Sequence, residues 1–420
     1  MKVLWLCNQM PAILARGVGR PAGNKEGWIT GMAAKLSQNN EIEMGIAFPL
    51  KQTESVTGVT ENIAYYSFYE DTDHPEIYDK GLEASLGLLC EEFSPDIIHI
   101  FGTEYPHTLA MLRLKEWRDH IIVHLQGLMK PCSEVYCGGL PAEVVQRSTF
   151  RDTLRQDSIW QQQEKYKMRA ANEAEALKLC KHVCGRTAFD RDYILSANPK
   201  CTYYLVNETL RPIFYGNHWE REKCVSHQIF ASQGNIPLKG IHYVLEALAI
   251  VKQQIPDVKI RIAGDNLTSY DTPKDRLKLS SYGKYLRQLI KDRDLWEQVD
   301  FLGSISAEKM LEEYQRAELF VISSMIENSP NSLGEAMLLG MPCIAARTGG
   351  IVSMAEEDKE CLMYEPQKAE ELAAKMLQLF HEPELADRLG KNAKAHAKLT
   401  HDPEANYKML LWVYEQVKEN

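Results

Sequence analysis

Short unbroken apolar runs alternate with longer amphipathic stretches along nearly all of this 420-residue chain. The runs at 2–7, 43–48, 63–68, 96–101 and 121–125 show little polar alternation, which predicts strands buried on both faces. Between them, 28–36, 78–93 and 107–118 carry apolar residues at helical spacing. Strand and helix taking turns predicts a parallel sheet. Residues 147–179 form a long polar helical stretch with Phe150, Ile159, Trp160 and Tyr166 interspersed. Its mixed charges predict a solvated helix with one buried stripe, the alternative being an amphipathic helix lying on a membrane surface. Strands at 182–184 and 203–206 close this first series.

A second series follows with the same architecture. Strands are predicted at 227–232, 258–263, 299–302, 319–322 and 343–346, and helices at 241–253, 282–291, 307–315, 332–339, 370–380, 384–399 and 403–418. The aperiodic segment around 211–223, with Pro212 and Gly216, predicts a connector. The expected organisation is a Rossmann-like domain over 1–210, a linker over 211–225, a second Rossmann-like domain over 226–402 and a final helix over 403–420.

Composition narrows the class. Hydrophobic residues make up 45% and charged residues 25%, the balance of a soluble globular enzyme. A net charge of −10 argues against a nucleic-acid partner. No apolar run reaches the length of a membrane span or a signal-peptide core, which predicts a cytoplasmic protein. The ten cysteines match no zinc or redox spacing, so reduced thiols are expected.

The richest stretch is 323–342. Leu319, Phe320, Val321 and Ile322 predict a strand, and Gly340 with Pro342 ends a helix begun near Ser332. Glu327 falls in the loop between them and Glu335 in the helix, so the two glutamates have different roles. Backbone N–H groups of Asn331, Ser332 and Leu333 at the positive end of that helix suit a phosphate. The amino-terminal loop Gly23-Asn24-Lys25-Glu26-Gly27 offers small residues at a helix start but is not a Gly-x-Gly-x-x-Gly fingerprint. His124 ends an apolar strand, where histidine serves either structure or chemistry. His99, inside a strand, is assigned to the core.

Glu327 and Glu335, followed by Gly340-x-Pro342 and Gly349-Gly350, resemble the signature of the retaining glycosyltransferase family 4 with the GT-B fold. Lys239-Gly240, Gly264-Asp265, Phe301-Leu302-Gly303 and Pro95-Asp96-Ile-Ile-His99 stand in the expected order. The resemblance covers most of the second half and the first half loosely. It implies an α/β fold of two Rossmann-like parallel-sheet domains with the carboxy-terminal helix returning to the first. It also implies transfer of a sugar from a nucleoside-diphosphate sugar to a sugar, glycolipid or small-molecule hydroxyl, in cell-surface polysaccharide or glycolipid assembly. Glu327 would contact donor-sugar hydroxyls, Glu335 the ribose, Lys239 the diphosphate, and His124 the reacting sugar. Gly23 would stand in the loop that approaches the substrates.

Two departures stand out. Many relatives place an arginine five residues before the motif lysine, where this chain has Gly234, and Arg186 is the candidate substitute cation. The family's Gly-Gly is Gly23-Asn24 here. No cofactor beyond the nucleotide-sugar co-substrate is expected, and no metal, because Lys239 and a helix terminus already supply positive charge. A peripheral membrane contact at the inner face is the further partner considered. Two other functions compete: a catalytically inactive GT-B-like binding or scaffold protein, suggested by the missing arginine, and a dinucleotide dehydrogenase, opposed by the absent glycine fingerprint.

Overall fold

The computed structural model describes residues 1–21, 23, 27–52 and 54–419, which divide into two compact α/β units. The first contains residues 1–130, 166–211 and 400–420, and the second 131–165 and 212–399.

The first unit is built on eight strands: β1 (Lys2–Leu6), β2 (Glu43–Leu50), β3 (Thr57–Thr60), β4 (Ile63–Tyr69), β5 (Ile97–Phe101), β6 (Ile121–His124), β7 (His182–Gly185) and β8 (Thr202–Leu205). Their order is β3-β4-β2-β1-β5-β6-β7-β8. The expectation of a purely parallel sheet needs one correction, because β3 pairs antiparallel with β4. Glu61 and Asn62 both take left-handed backbone, at φ 50° and 61°, the tight reversal a two-residue hairpin requires. The strand is short and largely exposed, so it left no apolar signature.

Strands β1, β5 and β6 are buried along nearly their whole length, as their unbroken apolar sequences require. Leu4 and Leu6 pack to one face of the sheet, Val3 and Trp5 to the other. The final helix, Pro403–Glu419, belongs to this unit and buries Leu410, Val413, Tyr414 and Val417. The Trp5 indole N–H donates to the Tyr414 hydroxyl at 2.8 Å, and that hydroxyl lies 2.8 Å from His99 Nδ1. The predicted return of the last helix to the first domain, and the core assignment of His99, are both seen.

Residues 147–179 do not form one helix. Two helices, Phe150–Arg155 and Ile159–Leu179, are separated at Gln156, which takes φ 52°. Side-chain hydrogen bonds impose the break: Thr149 and Asp152 make a capping box, and Gln161 accepts from both the Ser158 amide and its hydroxyl. Residues 131–165 pack with the second unit, in contrast to the 1–210 boundary read from sequence. Asp152 accepts the Ser281 N–H at 2.8 Å there, and His242 Nε2 meets the Gly138 carbonyl at 2.9 Å. The segment expected to be a linker is likewise fastened to this unit. Trp219 donates its backbone N–H to the Leu339 carbonyl at 3.0 Å and its indole N–H to that of Ala317 at 2.9 Å.

The second sheet is wholly parallel: β9 (Gln228–Ala231), β10 (Lys259–Ile262), β11 (Val299–Phe301), β12 (Leu319–Ile322), β13 (Cys343–Ala346) and β14 (Leu362–Tyr364), in the order β11-β10-β9-β12-β13-β14. The order in which strands are added across the sheet reverses between β1 and β5 in the first unit and between β9 and β12 in the second. Such switch points open a crevice at the carboxyl ends of the strands, where open α/β sheets bind ligands. All ten cysteines are free thiols. Among the described residues no helix is long and apolar enough to cross a membrane.

Candidate functional site

At the second switch point three loops are bound to one another through their backbones. The loop after β9 ends in the short turn Pro237–Lys239 and Gly240, which takes φ 66°. A Cβ at Gly240 would lie 2.0 Å from the Ser323 carbonyl oxygen, so only glycine lets the loops after β9 and β12 approach this closely. The Ser323 hydroxyl donates to the Lys239 carbonyl at 2.8 Å, and the Met325 N–H to that of Leu238 at 2.8 Å. From the loop after β13, the Thr348 hydroxyl donates to the Met325 carbonyl at 2.8 Å and the Gly350 N–H to that of Glu327 at 2.9 Å. A Cβ at Gly349 would lie 2.0 Å from the Glu327 carbonyl oxygen. The backbone that carries Glu327 is thus fixed from two sides.

This framework brings Lys239 and Glu327 together. The lysine ammonium donates to Glu327 Oε1 at 2.5 Å, and the Ser324 hydroxyl donates to the same oxygen at 2.6 Å. Both charged side chains are mostly buried, so the pair is shielded from solvent screening. An ammonium and a carboxylate held in this way can exchange each other for a phosphate and a hydroxyl when a ligand supplies both. Ser324 was not foreseen; its signal is its place three residues before Glu327 in the same loop.

The helix after this loop runs Asn331–Leu339 and ends at Gly340 with φ 85°. Pro330 is its N-cap and offers no side-chain cap. The expectation that Leu333 presents its amide to a ligand is corrected: the Leu333 N–H donates to the Pro330 carbonyl at 3.0 Å. Asn331 and Ser332 open the first turn, ahead of the helix's own hydrogen-bond ladder. The Ser332 carbonyl accepts from the buried Tyr314 hydroxyl at 2.9 Å, which seats that turn. Glu335 is buried in the same helix.

Gly234 occupies the place where relatives of the expected family carry arginine, and the packing accounts for it. A Cβ there would lie 2.9 Å from Ile262 Cγ2 and 3.3 Å from Ile241 Cγ1. Arg186, the candidate substitute cation, has a carboxylate partner of its own. Its side chain is buried in the first unit, where Nη1 pairs with Glu208 Oε2 at 2.6 Å. Its charge is matched by that carboxylate in this structure.

His124 ends β6 in the first unit and is buried, with Nε2 4.0 Å from Glu208 Oε1. Its ring stacks parallel to that of His99 at 5.5 Å. Burial, reinforced by His99 and Arg186, holds its pKa well below the usual histidine value, so it is a neutral imidazole. His99, His124 and Cys184 offer potential metal-ligand atoms within 4.8 Å of one another. In this fold His99 Nδ1 is taken up by Tyr414, and burial raises the Cys184 thiol pKa, so the sulfur is protonated. Gly23 is exposed, with no heavy atom within 4 Å of where a Cβ would be. The expectations placed on Asn24, Lys25 and Glu26 lie outside the described residues.

The first unit's own switch point holds two residues that sequence reasoning did not single out. Asn8 follows β1 and Glu104 follows β5. Glu104 Oε1 accepts the Gly127 N–H at 2.6 Å, and the Glu104 carbonyl accepts from Arg169 Nε at 3.0 Å. Glu104 Oε2 and Asn8 Oδ1 are buried without a hydrogen-bond partner. Burial raises the Glu104 carboxyl pKa, so its unanswered oxygen can meet a ligand as an acceptor or, when protonated, as a donor, while Asn8 Oδ1 calls for a donor.

Two Rossmann-like units, one with a paired lysine and glutamate at its switch point, define the GT-B architecture. Solved structures agree across the whole chain. Sucrose-phosphate synthase from Thermosynechococcus elongatus superposes with a TM-score of 0.73 at 16% identity, covering 99% of both chains. Anabaena HepE in complex with UDP-glucose superposes with a TM-score of 0.67 at 17% identity, covering 100% of both. Residues 222–396 match the family described as Glycosyl transferases group 1, and the fold that carries this stretch is GT-B. The sulfoquinovosyl transferase of Arabidopsis thaliana is 26% identical over 43% of this chain and 34% of its own length. The D-inositol 3-phosphate glycosyltransferase of Corynebacterium urealyticum is 26% identical over 38% of this chain and 36% of its own. The chain thus matches about a third of the length of these curated relatives.

Proposed function

We propose that the protein is a retaining glycosyltransferase of family 4 that moves a sugar from a nucleoside-diphosphate sugar to a hydroxyl acceptor. The observation that carries this reading is the Lys239–Glu327 pair at the second switch point. A diphosphate entering there takes Lys239 and releases the Glu327 carboxylate to accept from vicinal hydroxyls of the donor sugar. Departure of the nucleoside diphosphate builds charge on its terminal phosphate. Lys239 and the first-turn amides of Asn331 and Ser332 then stabilise the transition state more than the bound substrate. Glu335 accepts from the ribose. The unanswered oxygens of Asn8 and Glu104 suit a hydroxyl-bearing acceptor on the first unit. HepE is described in complex with UDP, UDP-glucose, and UDP with glucose, which supports uridine nucleotides as the first donors to try. We place the activity in the cytoplasm, in assembly of cell-surface polysaccharide or glycolipid.

Thermal unfolding against a panel of nucleotide sugars tests the reading. A donor at about 100 times its Kd raises stability by about 2.7 kcal/mol, a clear rise in midpoint. No shift with any nucleotide sugar would overturn it; binding without transfer or hydrolysis would favour the inactive scaffold. Turnover is expected to be unchanged by EDTA, since Lys239 and the helix start carry the charge that a divalent ion supplies in other transferases. Loss in EDTA restored by manganese would refute that.

Gly234→Arg tests whether the missing arginine is a lost function or a packing necessity. The clash with Ile262 predicts a destabilisation of about 1–3 kcal/mol with no gain in UDP affinity. Urea unfolding and calorimetry measure the two effects separately.

A further inference from the structure

Two short helices of the second unit, Phe150–Arg155 and Pro273–Lys278, share one sequence pattern. The first, with its cap, reads Thr149-Phe-Arg-Asp-Thr-Leu-Arg155 and the second Thr272-Pro-Lys-Asp-Arg-Leu-Lys278. Each begins with a capping box in which threonine and the acid three residues on satisfy each other's backbone N–H groups. Asp152 additionally accepts the Ser281 N–H at 2.8 Å, which fixes the inner side of its helix. At helical spacing, positions 150 and 154 lie opposite position 152. Phe150 and Leu154 are accordingly 70% and 74% exposed, and Leu277, the counterpart of Leu154, is 61% exposed. The two helices pack beside each other.

The charges around these apolar tips are mostly basic, with Asp271 and Glu143 the exposed acids near them in the sequence. Arg147, Arg155, Lys274, Arg276 and Lys278 are exposed, while Asp152 and Asp275 are engaged in the capping boxes. A basic, apolar-tipped surface on a chain of net charge −10 is a local reversal of the overall field. Isolated exposed leucines are ordinary, but the same position exposed twice in neighbouring helices of one pattern is not scatter.

We propose that the paired helices Phe150–Arg155 and Pro273–Lys278 dock the protein on an anionic lipid surface. Phe150, Leu154 and Leu277 enter the boundary between headgroups and acyl chains, and the arginines and lysines remain at the level of the lipid phosphates. A second copy of the chain is a poorer occupant. Two helices of six residues with three apolar tips offer far less than the ~800 Å² per partner of a stable interface. The inference stands independently of the transferase reading.

Co-sedimentation of the full chain with sucrose-loaded vesicles tests it. Binding is expected to vesicles of phosphatidylcholine with phosphatidylglycerol, to weaken as salt rises, and to be minor with phosphatidylcholine alone. The combined substitution Phe150→Ser, Leu154→Ser and Leu277→Ser is expected to lower the bound fraction roughly tenfold. Arg155→Glu with Lys278→Glu should do the same through charge alone. All five positions are exposed, and an unchanged unfolding midpoint would separate lost docking from lost folding. Absence of wild-type binding to the anionic vesicles, equal binding to neutral ones, or undiminished binding by both variants would overturn the proposal. So would a concentration-dependent dimer in light scattering that the serine variant dissolves, since that assigns the surface to a second copy.

Discussion

Glu327→Gln is expected to lower turnover by about 100-fold or more at saturating donor while nucleoside diphosphate binds as tightly as before or more tightly. The sign of the binding effect follows from the 2.5 Å contact between Lys239 Nζ and Glu327 Oε1. In the unliganded protein the carboxylate competes with the diphosphate for the ammonium. A carboxamide keeps the shape but removes the charge, so the lysine is released to the phosphate at lower cost. Turnover suffers because the neutral amide is a weaker acceptor for sugar hydroxyls as the anomeric centre gains positive charge. Glu335→Gln should act in the opposite way. It weakens nucleoside diphosphate binding by roughly 1–3 kcal/mol, since a buried carboxylate gripping two hydroxyls loses its charge and one acceptor. Calorimetry with UDP and turnover at saturating donor measure the two quantities. Loss of UDP binding in Glu327→Gln with none in Glu335→Gln would reverse the assignments.

How much of this was legible in the sequence varies with the range of the interaction. Strands such as β1, β5 and β12 were readable because burial on both faces forces an unbroken apolar run. The hairpin strand β3 was not, since it is short and largely exposed. The three-residue strand β14 was not predicted either. Lys239 and Glu327 were singled out individually by the resemblance of their surroundings to a family motif. Their contact was not, because 88 positions separate them and only the folded sheet brings the two loops together. The Leu333 amide was misread because the Pro330 carbonyl turns back on it, a choice of local hydrogen bond that composition does not reveal. At Gly234 the sequence showed an absence; the reason, the proximity of Ile262, lies in the three-dimensional packing.

Arg186 is the sharpest case of a residue whose type was correctly noticed and whose partner was invisible. A cation at the carboxyl end of β7 is a reasonable candidate for a phosphate, but Glu208 stands 22 positions later and pairs with it at 2.6 Å in the first unit. Both side chains are almost fully buried. Removing one member of such a pair strands the other charge without solvent, which is worse than never having buried either. Arg186→Met is therefore expected to cost about 3–5 kcal/mol of stability, because Glu208 is left uncompensated. Arg186→Met combined with Glu208→Leu should recover a large part of that loss, since the double variant buries no lone charge. A phosphate-binding role predicts a different pattern: a modest stability change, a fall in UDP affinity, and no rescue by the second substitution. Urea unfolding followed by tryptophan fluorescence, with UDP calorimetry on the folded variants, distinguishes the two. Weakened UDP binding at wild-type stability would return Arg186 to the donor site.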